Sequence, residues 1–171
     1  MLYIIAIIGL GNPGEKYRNN RHNVGHLFVD YIKQEKPIDN QIKIFKTDCF
    51  MNQSGIFIKK LVRNLKLEIS NLIVSHDDLD IPLGKFKIQK GTGPQLHNGI
   101  ESVENSLKAK DFWRIRIGVD ARTKENWIDG ETYVLQNFKQ DELQIIQSVF
   151  PEIIKRLQNN SPLRYNTLCK R

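Results

Sequence analysis

Near its N-terminus the chain reads Tyr3-Ile4-Ile5-Ala6-Ile7-Ile8-Gly9-Leu10-Gly11-Asn12-Pro13-Gly14, an apolar run that stops at a cluster of turn-forming residues. The run has the length of one strand and no polar alternation, as expected of a strand buried on both faces. Open α/β sheets place functional loops at the carboxyl ends of such strands. We therefore predict a central strand over Tyr3–Gly9 and a functional loop directly after it.

Strand and helix patterns alternate through the rest of the chain. They predict a helix over Asn23–Lys33, a weak strand over Gln41–Phe45, a helix from Ser54 to Leu65, a buried strand over Leu72–Val74 that ends at His76-Asp77-Asp78, a half-exposed strand over Lys85–Lys90, a helix capped by Asn98 and running through Leu107, a strand over Arg114–Val119, and a last helix over Asp141–Leu157 that Pro151 kinks or divides. This order predicts one α/β domain over residues 1–158, a three-layer α/β/α sandwich around a mixed, mostly parallel sheet. Residues 159–171 are expected to form a basic, flexible tail.

The composition favours a polyanionic partner without requiring one. Among 171 residues, Lys and Arg number 26 against 19 Asp and Glu, a net charge of +7. Such an excess fits either a polyanionic partner or a solvated basic surface. Cys49 and Cys169 form no CxxC pair, which fits a reducing cytoplasm. No apolar run approaches the roughly 20 residues of a membrane span, so we expect no membrane partner.

The loop after the first strand formally matches the G-x-G-x-x-G of dinucleotide-binding sites. In those sites the glycines open a helix whose amides hold a pyrophosphate. Here Pro13 removes one of the amides, and no second strand ends in an acid at the expected distance. The sequence therefore disfavours a nicotinamide cofactor.

His22 is the strongest candidate for a general base. It follows the first strand-end loop, and a second buried strand ends in Asp77 and Asp78. Parallel neighbours would bring these groups to one edge, where a carboxylate could fix one imidazole nitrogen while the other takes a proton from water. His22 and His26 also have the i, i+4 spacing of zinc ligands, but the Glu of HExxH is Asn23 here. No G-x-S-x-G elbow is present, so attack by a His-activated water is the simplest mechanism.

Three asparagines stand where loops meet strands or helices: Asn12, Asn52 and Asn98. Asparagine suits turns and helix caps, and its amide can equally orient a histidine, a water or a peptide. Spacing alone does not choose between these roles.

Taken together, the motifs resemble those of the bacterial-type peptidyl-tRNA hydrolase family. The similar segments are Gly9–Gly14 with Tyr17 and Arg21-His22-Asn23, Met51-Asn52-Gln53-Ser54-Gly55, His76–Gly84, His97-Asn98-Gly99, Arg114–Val119, and Tyr133-Val134-Leu135 with Phe138. They keep the family order over about residues 4–155.

This resemblance implies a metal-independent carboxylic ester hydrolase, without a cofactor, that releases peptides from the terminal ribose of tRNA. It implies that His22 is the base, Asp77 its orienting carboxylate, and Asn12 the residue that positions substrate and base. The expected substrate-binding residues are Tyr17, Met51, Asn52, Asn98 and Arg116. The last of these would contact a tRNA phosphate. The expected partner is the acceptor end of peptidyl-tRNA rather than DNA, and the expected form is a cytoplasmic monomer.

The sequence departs from the family pattern in four places. The stretch between the first helix and Met51 is short, and the usual Pro-x-Thr-Tyr before it reads Thr47-Asp48-Cys49-Phe50. The glycine pair before His97 is Gln95-Leu96, after Pro94, which predicts a stiffer loop over the cleft. A basic residue expected as the partner of Arg116 is Gln89. The alternative function is therefore a catalytically weak or inactive RNA-binding relative, similar to the splicing factors that share this fold.

Overall fold

Five strands form the central sheet of the computed structural model, which describes residues 4–34 and 42–160. They are β1 (Ile5–Gly9), β2 (Ile42–Lys46), β3 (Leu72–Pro82), β4 (Phe86–Lys90) and β5 (Trp113–Asp120). The order across the sheet is β2-β1-β3-β5-β4, and only β4 runs antiparallel to its neighbour. The predicted mixed, mostly parallel sheet is confirmed.

Helices cover both faces of this sheet. They are α1 (Val24–Gln34), α2 (Ser54–Leu65), α3 (Asn98–Leu107), the short α4 (Gly130–Val134) and α5 (Gln140–Asn160). One apolar cluster joins α1 and α5 to Ile5 and Ile7 of β1, and the other joins α2 and α3 to Ala6 and Ile8 of the same strand. Since alternate side chains of a strand point to opposite faces, β1 contributes to both clusters. The α/β/α layering expected from the sequence is confirmed.

Three boundaries differ from the sequence-based predictions. Strand β3 does not end at the acids: it continues to Pro82, because β5 pairs with it past Gly118 through a register shift. The cap of α3 is His97 rather than Asn98, since the His97 ring accepts the amides of Gly99 and Ile100. Helix α5 continues through Pro151 without ending there.

The predicted end of the domain at residue 158 lies within α5, and this helix also includes residues 159 and 160 of the expected tail. Residues 161–171 lie outside the described residues, as do residues 1–3 and 35–41. Among the described helices, none combines the length and hydropathy that a transmembrane helix requires.

A glycine brings the start of α1 against the strand ends. A Cβ on Gly25 would lie 2.4 Å from the carbonyl oxygen of Ser75 and 2.6 Å from that of Leu10, so no larger residue fits. The short 3-10 turn Arg21–Asn23 immediately precedes α1 and is therefore held at the carboxyl edge of β1 and β3. This contact places His22 beside the acids of β3.

Candidate functional site

His22 and Asp77 form a buried hydrogen-bonded pair at this edge of the sheet. Nδ1 of His22 lies 2.9 Å from Oδ1 and 3.0 Å from Oδ2 of Asp77. Asp77 belongs to β3 and is 2 % exposed, while His22 is 8 % exposed. Because Nδ1 faces the carboxylate, Nε2 carries the free lone pair, and it has no hydrogen-bond partner among the described residues. The structure thus brings together the two residues that the sequence nominated as base and orienting carboxylate.

The electrostatics of this pair favour a positive charge on His22 and a negative charge on Asp77. Burial disfavours a charge on His22, but the Coulombic attraction of Asp77 and its hydrogen bond outweigh burial and raise the pKa of His22. Burial likewise opposes ionisation of Asp77, yet the charges and hydrogen bonds of His22 and His97 lower its pKa far below the usual value. Asp77 is therefore a carboxylate throughout the neutral range, ready to stabilise an imidazolium at His22.

A second histidine shares the same carboxylate. Nε2 of His97 lies 2.8 Å from Oδ1 of Asp77, and the rings of His97 and His22 are 4.9 Å apart. Nδ1 of His97 accepts the amides of Gly99 and Ile100 at 3.0 and 3.2 Å. Because a nitrogen that accepts two amides carries no proton, Nε2 must carry it and donate to Asp77. His97 therefore joins the first turn of α3 to the Asp77 carboxylate.

Asn12 is held rigidly in the loop after β1. Its backbone amide donates to Oδ1 of Asn23 at 2.9 Å, and Nδ2 of Asn23 donates to the Asn12 carbonyl oxygen at 2.9 Å. Oδ1 of Asn12 accepts the Met51 amide at 2.8 Å. The side-chain oxygen is thus occupied, and Nδ2 is the group of Asn12 that remains for a substrate.

The segments Met51-Asn52 and Asn98-Gly99, which contain three of the predicted substrate-binding residues, are in contact. Met51 is buried, whereas Asn52 and Asn98 are exposed. Oγ of Ser102 in α3 donates to the Asn52 carbonyl oxygen at 2.8 Å, and a Cβ on Gly99 would lie 2.4 Å from Sδ of Met51. The short turn Met51–Gln53 and the start of α3 are therefore in contact.

Tyr17 joins the same area from the first loop. It is half-buried, and its ring meets the half-exposed Phe50 edge to face, with 6.4 Å between ring centroids. Phe50 immediately precedes Met51. An aromatic rim thus lies beside the polar centre of the site.

Arg116 is held away from solvent. It is 6 % exposed, and its Nε donates to Oδ2 of Asp78 at 2.6 Å. A Cβ on Gly93 would lie 2.4 to 2.5 Å from the guanidinium atoms, so the 91–97 loop covers this arginine. In the β4–β5 register the residue opposite Arg116 is Lys87, which is exposed, whereas Gln89 lies opposite Arg114. Gln89 therefore lies on the same face of β4 as Lys87 but is not the direct cross-strand neighbour of Arg116, and its expected part in a phosphate clamp stays a prediction.

The i, i+4 pair His22 and His26 does not form a shared site. Nε2 of His26 lies 3.0 Å from Oγ1 of Thr47, and burial, reinforced by the charge of Lys46, lowers the pKa of His26 to about 4. Among the described residues, the group that could hold a metal is His22, Asp77 and His97, whose ligand atoms lie within 4.8 Å of one another. The hydrogen bonds already made to Asp77 account for this arrangement, and the absence of a metal stays a prediction.

Sequence reasoning assigned no role to His97 or Asn23. Both stand inside matched motifs, but the sequence holds no sign that His97 reaches back to Asp77, since 20 residues separate them. Asn23 could be found from its place next to His22, where a side-chain amide can bind a neighbouring loop.

The chain is similar to known proteins over most of its length. Residues 6–164 match the family model described as peptidyl-tRNA hydrolase. A peptidyl-tRNA hydrolase of Thermodesulfovibrio yellowstonii is 38 % identical over 172 residues, with 90 % of each chain covered. That of Pseudothermotoga lettingae is 35 % identical over 163 residues, with 88 % of this chain and 86 % of the relative covered.

The fold agrees as well. The crystal structure of peptidyl-tRNA hydrolase from Acinetobacter baumannii superimposes with a TM-score of 0.78 at 23 % identity, covering 92 % of this chain and 88 % of that one. At this identity the likeness concerns the fold alone, whereas the family model spans nearly the whole chain. The chain belongs to the peptidyl-tRNA hydrolase family.

Proposed function

We propose that this protein hydrolyses the ester bond between the peptide and the terminal ribose of peptidyl-tRNA, and so returns tRNA from stalled or abortive translation. The observation that carries the proposal is the buried His22–Asp77 hydrogen bond, which leaves Nε2 of His22 as a free acceptor. An ester needs only a positioned base and an activated water, and this pair supplies the base without a metal or a covalent intermediate.

In the proposed reaction, Nε2 of His22 takes a proton from a water whose oxygen attacks the ester carbonyl carbon. The bond between that carbon and the ribose oxygen then breaks, and the imidazolium returns its proton to the ribose oxygen. Asp77 stabilises the imidazolium between these steps, and His97 holds the carboxylate in place. The reaction consumes one water and regenerates the enzyme.

The asparagines are proposed to orient the substrate. Nδ2 of Asn12 would donate a hydrogen bond to the substrate, since Oδ1 already accepts the Met51 amide. The exposed amides of Asn52 and Asn98 would hold the peptide and the attacking water. Tyr17 and Met51 would line the cleft.

Contact with tRNA is proposed on the face of β4 and β5. Arg116 stays the proposed phosphate contact from the family resemblance, but its pairing with Asp78 leaves the exposed Lys87 as the neighbouring charge that reaches solvent. Counterion release makes an exposed lysine effective at a phosphate. We further propose one catalytic domain followed by a basic tail, acting as a cytoplasmic monomer on the acceptor end of peptidyl-tRNA.

The direct test is hydrolysis of an N-blocked aminoacyl-tRNA beside the free aminoacyl-tRNA. We expect turnover of the blocked form, which carries a peptide-like amide, and much slower release from the free form. Binding of the tRNA without turnover of the blocked ester would instead indicate the inactive RNA-binding relative.

A further inference from the structure

The segment that precedes His22 pairs with the connection between α4 and α5. The Arg21 amide donates to the Gln136 carbonyl oxygen at 3.1 Å, and the Phe138 amide donates to the Asn19 carbonyl oxygen at 2.9 Å. Nδ2 of Asn20 also donates to the carbonyl oxygen of Leu135. Residues separated by more than 100 positions along the chain thus form a short two-stranded contact directly before the catalytic turn.

Arg21 is the centre of this contact. Its side chain is 3 % exposed, and its NH2 group lies 2.6 Å from Oε2 of Glu142, whose side chain is 9 % exposed. Its NH1 group donates to the carbonyl oxygen of Asn137 at 3.1 Å. Oε2 of Glu142 also accepts the Lys139 amide at 2.8 Å, at the start of α5. A buried charge pair with these hydrogen bonds fixes one geometry, because either partner alone would be an uncompensated buried charge.

Tyr133 connects Arg21 to the sheet. The guanidinium carbon of Arg21 lies 4.0 Å from the centroid of the Tyr133 ring. The Tyr133 hydroxyl donates to the carbonyl oxygen of Val119 at 3.2 Å and accepts the Ala121 amide at 3.1 Å, so it is bound to the end of β5. Tyr133 thus connects Arg21 to β5, and β5 pairs with β3, which carries Asp77.

From these contacts we infer that Arg21, Glu142 and Tyr133 are positioning residues that hold the His22 turn at hydrogen-bond distance from Asp77. The inference rests on the proposed role of His22 as the base. It assigns a function to the Tyr133-Val134-Leu135 motif, whose helix α4 contacts the Arg21–Asn23 turn. Strand β3 holds Asp77, and the contacts of Arg21 hold the turn that carries His22.

Glu142→Gln tests the inference, because it keeps the size of the side chain and removes its charge. It should lower kcat on an N-blocked aminoacyl-tRNA by about 10- to 100-fold, the usual effect of a displacement near 1 Å, and should leave KM within about twofold. Should this variant fail to fold, Arg21→Lys keeps the cation for Glu142 but cannot keep the planar stacking and the forked hydrogen bonds, and it carries the same expectation.

A readout independent of turnover is the titration of His22 by NMR, with its signal assigned from His22→Ala. The charged or titratable groups that face His22 are Asp77 from β3 and His97 from the start of α3, and neither is altered in Glu142→Gln. Displacement of His22 from Asp77 should move its titration to lower pH.

Glu104→Gln is the matched control, since Glu104 pairs at 2.7 Å with Arg114, which is likewise buried. It should lower thermal stability without moving the His22 titration. Wild-type kcat and an unmoved titration in folded Glu142→Gln would overturn the inference. Full activity of His22→Ala would instead refute the proposed function, while the NMR titration would still decide whether Glu142 positions His22.

Discussion

Replacement of Asp77 by Asn would remove the charge beside His22, the proposed base, while keeping the shape of the side chain. In the structure one carboxylate oxygen serves two donors, Nδ1 of His22 at 2.9 Å and Nε2 of His97 at 2.8 Å. The second oxygen also lies 3.0 Å from Nδ1 of His22. Asn offers one acceptor oxygen and one NH2 group in their place, so the arrangement cannot be reproduced in full.

The expected loss follows from the hydrogen bond that strengthens when His22 becomes charged. A hydrogen bond to a charged group contributes about 1.5 to 3 kcal/mol, which corresponds to roughly 10- to 150-fold in rate. An Asn NH2 group that turned toward Nδ1 would also leave the proton on Nε2 and so deprive His22 of its free lone pair. We therefore expect kcat of Asp77→Asn to fall by at least about tenfold and by more than 100-fold if the tautomer changes.

The pH profile of kcat/KM separates this account from general damage. The pKa of His22 is raised by Asp77 above its ordinary value, so the active neutral form is lost as the pH falls through that raised pKa. The lower limb of the wild-type profile should therefore lie above about pH 6.5, the ordinary histidine value. In Asp77→Asn the burial remains and the attraction is gone, so the limb should move to lower pH.

Asp78→Asn provides the control on the same strand. Asp78 is committed to Arg116 at 2.6 Å and to the Asp80 amide at 2.8 Å, and it makes no contact with His22 among the described hydrogen bonds. Its loss should affect stability or tRNA affinity and leave the lower pH limb unchanged. A profile that moves in Asp78→Asn but not in Asp77→Asn would refute the assignment of the orienting carboxylate.

Three further predictions concern the surroundings of the site. Gln89→Lys should tighten tRNA binding and steepen the slope of log affinity against log salt by somewhat less than about one unit. Lys87→Gln should weaken binding and make the slope shallower. Equal slopes in salt titrations of the wild type and both variants would exclude tRNA binding at this face of β4 and β5. Chelator treatment should leave turnover unchanged and His26→Ala should be mild, whereas stoichiometric zinc with chelator-sensitive activity would indicate a metal site. Asn23→Ala should lower kcat by roughly tenfold, because it removes the two hydrogen bonds that hold Asn12 in its loop. Wild-type kcat in the folded variant would show that the loop does not need Asn23.

Much of the fold was readable from local patterns. The uninterrupted apolar run of β1 predicts a strand buried on both faces, and the structure places its alternate residues in two separate cores. The end of β3 was not readable, because the pairing that extends the strand to Pro82 is made by β5, more than 30 residues away. Local apolar periodicity cannot report a strand whose later residues are polar and paired.

The site was predictable where strand ends meet and unpredictable where side chains reach across the fold. The juxtaposition of His22 and Asp77 follows from two strands that end at one edge of a parallel sheet. The Arg116–Asp78 pair was missed, since a basic residue on a strand indicates a charge but not whether a carboxylate already holds it. The Arg21–Glu142 pair was missed for the same reason, since 121 positions separate the two residues.

The central claim, that His22 activates water for ester hydrolysis, is tested most directly by single-turnover hydrolysis of an N-blocked aminoacyl-tRNA with wild type and His22→Ala, with tRNA affinity measured in parallel. The account predicts a loss of at least about 100-fold in the rate of ester cleavage with nearly unchanged tRNA affinity. A folded His22→Ala variant that cleaves at close to the wild-type rate would contradict it.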